Sequence, residues 1–452
     1  MDRNVILIFL ISLIVSSIAV FLDPVRWWDE AIYGSLGWNL HNSPFDYSFK
    51  KFDDLNKDYP GQAGFRAPLL PYVISVAYAV NESFPIEVLV PIFSALGSVA
   101  LYLLCIQVFD KKTSALSALL LTLMPLHAYY SGKILTDVFS TTIATVAILF
   151  FWIGFEKGDN KFKALAGIFL GLTILARYTW IWLPAVLFLY LLIKNRSLKF
   201  IDKYFIFSIV LFLLVLTPWF WYGQQAYGTP LGPLIHASKA TTYWGGLQPW
   251  YEYFTYMPIV MSLGILATAL VGIFFAIKNI KEPFLLLTVI WLLFSIGFAI
   301  SMPHKEDRFL MPATPVIALL AAFGISKMKR YAKHIAIAVL IIAIATSGVK
   351  FYDTMKVSYR HDSQCYIGAM NFLKTVENNS IVMNVNNPVI YFYTHKESTY
   401  APQSQNELEA KAKTFERPIY YLSSKYDGSR SFDFKKEPVW RCGEDAAVWK
   451  LN

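Results

Sequence analysis

The sequence predicts an α-helical polytopic membrane protein carrying a small C-terminal α/β domain, and three observations carry that prediction. Its 452 residues are 56% hydrophobic and 17% aromatic, with only 16% charged side chains and a mean hydropathy of +0.44, too apolar for an ordinary soluble protein. Apolar runs long enough to cross a hydrocarbon core of about 30 Å recur through residues 1–352. Residues 353–452 are polar and alternate strand-like with helix-like runs.

Eleven spans follow in order: 4–22, 85–109, 113–130, 134–155, 164–176, 178–193, 205–222, 257–277, 284–302, 309–325 and 335–352. The first has no small-residue cleavage site at Phe21-Leu22-Asp23-Pro24 and is expected to be retained as a helix. The stretch 164–193 reads either as one tilted helix or as two short ones, and the charge of the connecting loops decides for two. With a break near Arg177 and Tyr178, the loops 110–112, 156–163, 194–204, 278–283 and 326–334 fall on one side and hold fifteen Lys and Arg. The short opposite loops hold five: Lys133, Arg177, Lys239, Lys305 and Arg308. The basic side is cytoplasmic, so the N-terminus is expected inside and the C-terminal domain outside. The net charge of +9 is thereby a matter of membrane topology, and a nucleic-acid partner is not expected.

This topology leaves three large pieces on the extracytoplasmic side: the loops 23–84 and 223–256 and the domain 353–452, the last set apart from a membrane domain at 1–352. The first loop opens on "VRWWDEAIYGSLGWNL", which reads as an amphipathic helix, and ends on an apolar stretch at 69–80 too short to span. The second loop mixes Gly, Pro and aromatics, a composition suited to a mobile lid. In the C-terminal domain, "SIVMNV", "PVIYFY", "RPIYYL" and "AAVWKL" read as strands, and 363–377 and 404–415 as helices. Cys365 and Cys442 both lie in it, and whether they pair is left open; Cys105 lies in a span.

Most of the conspicuous polar residues flanking the spans come to the outer side. Asp29 and Glu30 are adjacent, so on a helix they point about 100° apart and at most one of them faces a given pocket; a solvated helix start with Trp anchors explains the pair as well. Thr136-Asp137 reads as a helix N-cap or as a functional acid. In "PHKEDRF", Pro303 suits a first helical turn, which would set His304 and Arg308, at i and i+4, on one basic face with Lys305. A basic face beside a helix N-terminus at headgroup level suits a lipid phosphate.

"WWDEAIY", "RAPLLPY", "LTDVF" and "HKEDRFLMPATP", in this order, together resemble the multi-pass glycosyltransferases of the GT-C fold, which use polyprenyl-phosphate-linked sugars. The first loop and short tail resemble the protein O-mannosyltransferase and aminoarabinose-transferase branch. The HKE-x-RF string is similar to that of dolichol-pathway and GPI-anchor mannosyltransferases. The resemblance covers roughly residues 1–352. It implies Asp29, with Glu30 beside it, as the acid near the acceptor hydroxyl and Asp137 as a second acidic position. Arg66, Lys305 and Arg308, with His304, would hold the carrier phosphate. Some relatives carry an acidic, metal-binding residue where Phe65 stands, so a divalent metal is neither required nor dismissed.

The expected partners are therefore a polyprenyl- or dolichyl-phosphate-sugar donor, a protein or lipid-linked glycan acceptor, and membrane lipids. The chemistry agrees. A sugar on a lipid phosphate already has an anionic leaving group, so cations at the phosphate are the main demand. The attacking hydroxyl needs a carboxylate within about 2.6–3.2 Å, and one displacement inverts the anomeric centre. Asp29 and the Lys305/Arg308 cations are expected to border one cavity. The alternative from another class is a polytopic lipid-phosphate or lipid-linked-sugar transporter, but the two halves show no repeat.

Overall fold

The computed structural model describes residues 2–52, 63–245, 247–434 and 436–452. The chain divides into two compact units: residues 1–21, 67–69 and 87–351, and residues 22–66, 70–86 and 352–452.

The first unit is a helical bundle. Among the described residues, eight helices are long and apolar enough to cross a membrane, or nine if one bent pair is a single span. All eleven expected spans fall on helices, and the two outside that count are short. The third breaks into Lys111–Leu123 and Pro125–Tyr130, because Met124 precedes a proline and takes an extended conformation, φ −65° and ψ 123°. The fifth, Asn160–Ala176, has 17 residues. The bent pair corrects the expected span 257–277: Glu252–Val260 meets Leu263–Lys278 at 110°. Ser262 lies between them at φ 66°, a conformation that turns the chain aside instead of continuing a helix.

Burial sorts these helices. Of the window at Asp307–Ser326, 94% is buried, against 17% of that at Lys329–Ser358; the first is the centre of the bundle, the second a lipid-facing wall. With no hydrophobic drive between helices in lipid, polar pairs and close approach hold the bundle together. Ser12 meets Thr122 at 2.5 Å, Thr122 meets Ser98 at 3.0 Å, and Ser16 donates to Ser94 at 3.0 Å.

The second unit contains a five-stranded sheet: β1 (Ile381–Asn384), β2 (Ser398–Tyr400), β3 (Ile419–Ser424), β4 (Trp440–Cys442) and β5 (Ala446–Lys450), in the order β2-β1-β3-β5-β4. β1 runs parallel to β2 and β3, and β5 antiparallel to β3 and β4. Parallel neighbours need crossovers, and helices Asn387–Thr394 and Gln405–Thr414 supply them. The first of these corrects the strand reading of "PVIYFY": Pro388 sits in the first helical turn, where its missing N–H costs nothing. β2 and β4, three residues each, have no counterpart in the sequence reading.

Helix Trp28–Asn42 is buried on nearly all sides, not amphipathic as expected. Tyr391 donates to Asn39 at 2.6 Å, Trp38 stacks on His395 with centroids 3.9 Å apart, and the Ser398 N–H donates to the Lys51 carbonyl at 2.9 Å. Burial pulls His395 down to about 4, so its ring is neutral on the indole at neutral pH. Cys365 and Cys442 form a disulfide.

Candidate active site

In the second unit the two adjacent acids of helix Trp28–Asn42 part company. Glu30 is fully buried; it lies 3.5 Å from Arg26, and accepts the Trp27 N–H at 3.0 Å, closing the helix start. Asp29 turns the other way and pairs with Arg66 at 2.7 Å, both side chains partly open to solvent. The Arg66 guanidinium lies 5.9 Å from the Tyr33 ring and 5.6 Å from the Phe65 ring, and its carbonyl accepts the Tyr47 hydroxyl at 3.0 Å. Two aromatic walls and a backbone tether thus fix the arginine that holds Asp29.

In the first unit, Thr136 and Asp137 open helix Thr136–Phe151, with Leu135 as the cap. Instead of capping, both serve Arg177. Its Nη1 lies 2.8 Å from Asp137 Oδ1 and donates to Thr136 Oγ1 at 3.0 Å, while Nε donates to Thr179 at 3.2 Å. The Arg177 and Arg308 guanidinium groups lie 5.7 and 5.9 Å from the same Phe309 ring.

The segment 304–308 is not the helical turn expected. Glu306 is extended and a 3-10 helix starts only at Asp307, so His304 and Arg308 share no helix face. They share Glu306, which accepts from His304 at 3.0 Å on one oxygen and pairs with Arg308 through the other. Asp307 accepts the Tyr130 hydroxyl at 2.6 Å. Lys305 is buried, which pulls its pKa down; its ammonium donates to the Ile300 carbonyl at 2.7 Å and to the Met302 carbonyl. It ties off the end of helix Pro283–Ser301, where a cation is favoured.

Sequence reasoning missed further contributors to this site besides Tyr130 and Thr179. Gln248 accepts the Lys305 N–H and donates its own to the Pro303 carbonyl at 3.1 Å. Tyr253 and Tyr256 have buried hydroxyls without a hydrogen-bond partner among the described residues, and the Tyr253 ring lies 5.7 Å from the Lys305 ammonium. Both tyrosines lie in the aromatic run "PWYEYFTY", which composition alone marks only as interfacial.

A family model described as the Alg9-like mannosyltransferase family matches residues 3–402. The chain belongs to that family. The GPI mannosyltransferase 3 of Candida albicans is 30% identical over 251 residues, 54% of this chain and 48% of that one; the chain spans about half the length of that relative. The fold is the GT-C fold. ArnT from Cupriavidus metallidurans, in a crystal structure with undecaprenyl phosphate, superposes with a TM-score of 0.73 over 99% of this chain and 98% of its own at 14% identity. AglB, the archaeal oligosaccharyltransferase of Archaeoglobus fulgidus in complex with an inhibitory peptide and a dolichol-phosphate, gives 0.63 over 92% and 69% at 13% identity. With the apolar helices, these matches make the chain a multi-pass membrane protein.

Among the described residues, the Asp29 carboxylate faces the Arg66 guanidinium at 2.7 Å with Phe65 beside it, whereas a hard cation asks for several oxygens. Among the described residues, the one group close enough to ligate is His361, Cys365 and Cys442, and its two sulfurs are in the disulfide.

Proposed function

We propose that this chain transfers a hexose, mannose first among them, from a polyprenyl or dolichyl phosphate to a hydroxyl of a protein or lipid-linked glycan, on the extracytoplasmic face and with inversion. The observation that carries the reading is the family match running through residues 3–402, which takes in Asp29, Asp137 and the 304–308 segment together. The transport reading has no such support.

In this proposal Asp29 receives the proton of the acceptor hydroxyl, and Arg66 keeps its carboxylate aimed. Glu30, closed off by Arg26, holds the helix start. Arg308 and His304, gathered by Glu306, meet the carrier phosphate as its charge grows on departure. The Tyr253 and Tyr256 hydroxyls add neutral donors. Lys305 shapes the loop through the helix end it ties off, and Asp137 positions Arg177 instead of taking a proton. The disulfide in 353–452 supports the outside placement of that domain, since such bonds persist in oxidising compartments.

The test is sugar transfer from mannosyl polyprenyl phosphate by purified Asp29→Asn and Arg308→Ala, each first shown to be monodisperse. Loss of a general base lowers turnover about 100-fold or more, and Arg308→Ala is expected to lower it as well. Undiminished turnover in both variants removes the site, and a retained anomeric configuration removes the single displacement. Asp29→Asn that still scrambles donor lipid between leaflets while glycosylation is lost separates transfer from transport.

A further inference from the structure

A cavity of about 560 Å³ lies within the first unit, at the far end of helix Thr136–Phe151, which carries Asp137 in its first turn. Trp152 lines it, fifteen residues on, or about 22 Å at 1.5 Å per residue. There the helix opens into a π-turn, Trp152–Glu156, the local widening that often marks a functional position.

The floor is aromatic and fixed. Phe109 stacks on Phe323 with centroids 5.3 Å apart, and Trp152 meets Phe284 edge-on at 4.9 Å. Trp152 is buried, and its indole N–H has no acceptor among the described residues. A buried donor without an acceptor is unfavourable, and a phosphate oxygen drawn in beside the ring would satisfy it.

The rim is charged. Lys157 donates to the neutral Gln107 side chain at 2.6 Å, and Lys327 lies 4.8 Å over the Phe323 ring; neither is in an ion pair among the described residues. Glu156 is already taken by Tyr190 at 2.8 Å and Lys194 at 2.5 Å. Glu282 and Asn279 complete the polar lining. The uncommitted charge is then two lysines against Glu282, one net positive, which matches a phosphate diester and falls short of a monoester dianion. The basic loops at 156–163, 278–283 and 326–334 place this mouth at a membrane surface.

We propose that the cavity binds the headgroup of an anionic, hydroxyl-bearing glycerophospholipid. The phosphate diester accepts from Trp152, Lys157 and Lys327, the headgroup hydroxyls meet Glu282 and Asn279, and the glycerol lies on the aromatic floor. This site is separate from the proposed sugar transfer and does not rest on it.

Native mass spectrometry of the delipidated full chain, titrated with phosphatidylglycerol or phosphatidylcholine, tests the assignment without any transfer assay. The wild-type chain is expected to retain one phosphatidylglycerol, at least tenfold more tightly than the Lys157→Gln/Lys327→Gln double variant and about threefold or more tightly than Trp152→Phe. Gel filtration and unchanged melting confirm that the variants are folded. Equal retention by wild type and double variant overturns the site. Equal retention of phosphatidylcholine overturns the headgroup class, as does displacement of phosphatidylglycerol by undecaprenyl phosphate at equimolar dose.

Discussion

Asp137, buried, and Arg177, partly buried, are charges placed where the backbone favours each sign. Asp137 lies in the first turn of its helix, and Arg177 directly follows Ala176, the end of another, so each gains about 0.3–1 kcal/mol from the helix dipole before they meet. Their contact at 2.8 Å adds no great net stability, yet removing one partner takes a counter-charge from the other in a buried setting, at a cost of up to about 3–5 kcal/mol. Arg177→Ala is therefore expected to lower the apparent melting temperature in detergent by roughly 5 °C or more. Asp137→Ala combined with it should cost less than the two singles together, by about 1–3 kcal/mol. Strict additivity in a denaturation series would show that the pair is uncoupled. Each of these charges stands out singly in an apolar sequence, and that much is legible. Their meeting is not, because two helices lie between them in the chain. The same limit explains the 304–308 segment: its charges are obvious, but Glu306 as their hub is not, and the partners Tyr130 and Gln248 come from other parts of the chain.

The helices approach one another closely where side chains are absent. A Cβ on Gly272 would overlap the Leu320 carbonyl, and one on Gly324 the Thr268 carbonyl, so helices Leu263–Lys278 and Thr314–Ser326 touch backbone to backbone. Neither neighbour is the flexible end of a side chain, and the strain has no outlet. Gly272→Val is expected to cost about 1–3 kcal/mol or more and to broaden the gel-filtration peak. Gly348→Ala, where nothing lies within 4 Å, should leave the protein unchanged or stabilise it by about 0.5–1 kcal/mol through helix propensity. Equal behaviour of the two variants would mean that the crossing is not tight. Long apolar periodicity gives the helices away in sequence, and Pro125 and Ser262 show why their count blurs: each break is one local dihedral that a hydropathy window averages over. Short strands fail for the opposite reason. β2 and β4 are set by their neighbours in the sheet, and "PVIYFY" is apolar enough for a strand until the parallel β1–β2 pairing demands a crossover.

At the scale of the whole molecule, two independent features speak to sidedness: the fifteen bases gathered in alternate loops and the Cys365–Cys442 bond. The bond joins residues 77 apart, a loop whose closure is worth about 4 kcal/mol in the chain-entropy picture, so the compartment that keeps it oxidised also keeps the sheet domain folded. Cys105, the remaining cysteine, is buried among apolar helices, which leaves the protein without a reactive thiol while the disulfide is intact. A membrane-impermeant maleimide applied to intact cells is therefore expected to add nothing at first. After treatment with a charged, impermeant phosphine it should add two labels, both lost in a Cys365→Ser/Cys442→Ser chain. Labelling that appears only once the membrane is permeabilised would put residues 353–452 in the cytoplasm. The alternation of basic loops would then have to be inverted as well, and the loop holding Asp29 and Arg66 would lose its place on the side where lipid-linked donors are proposed to be consumed.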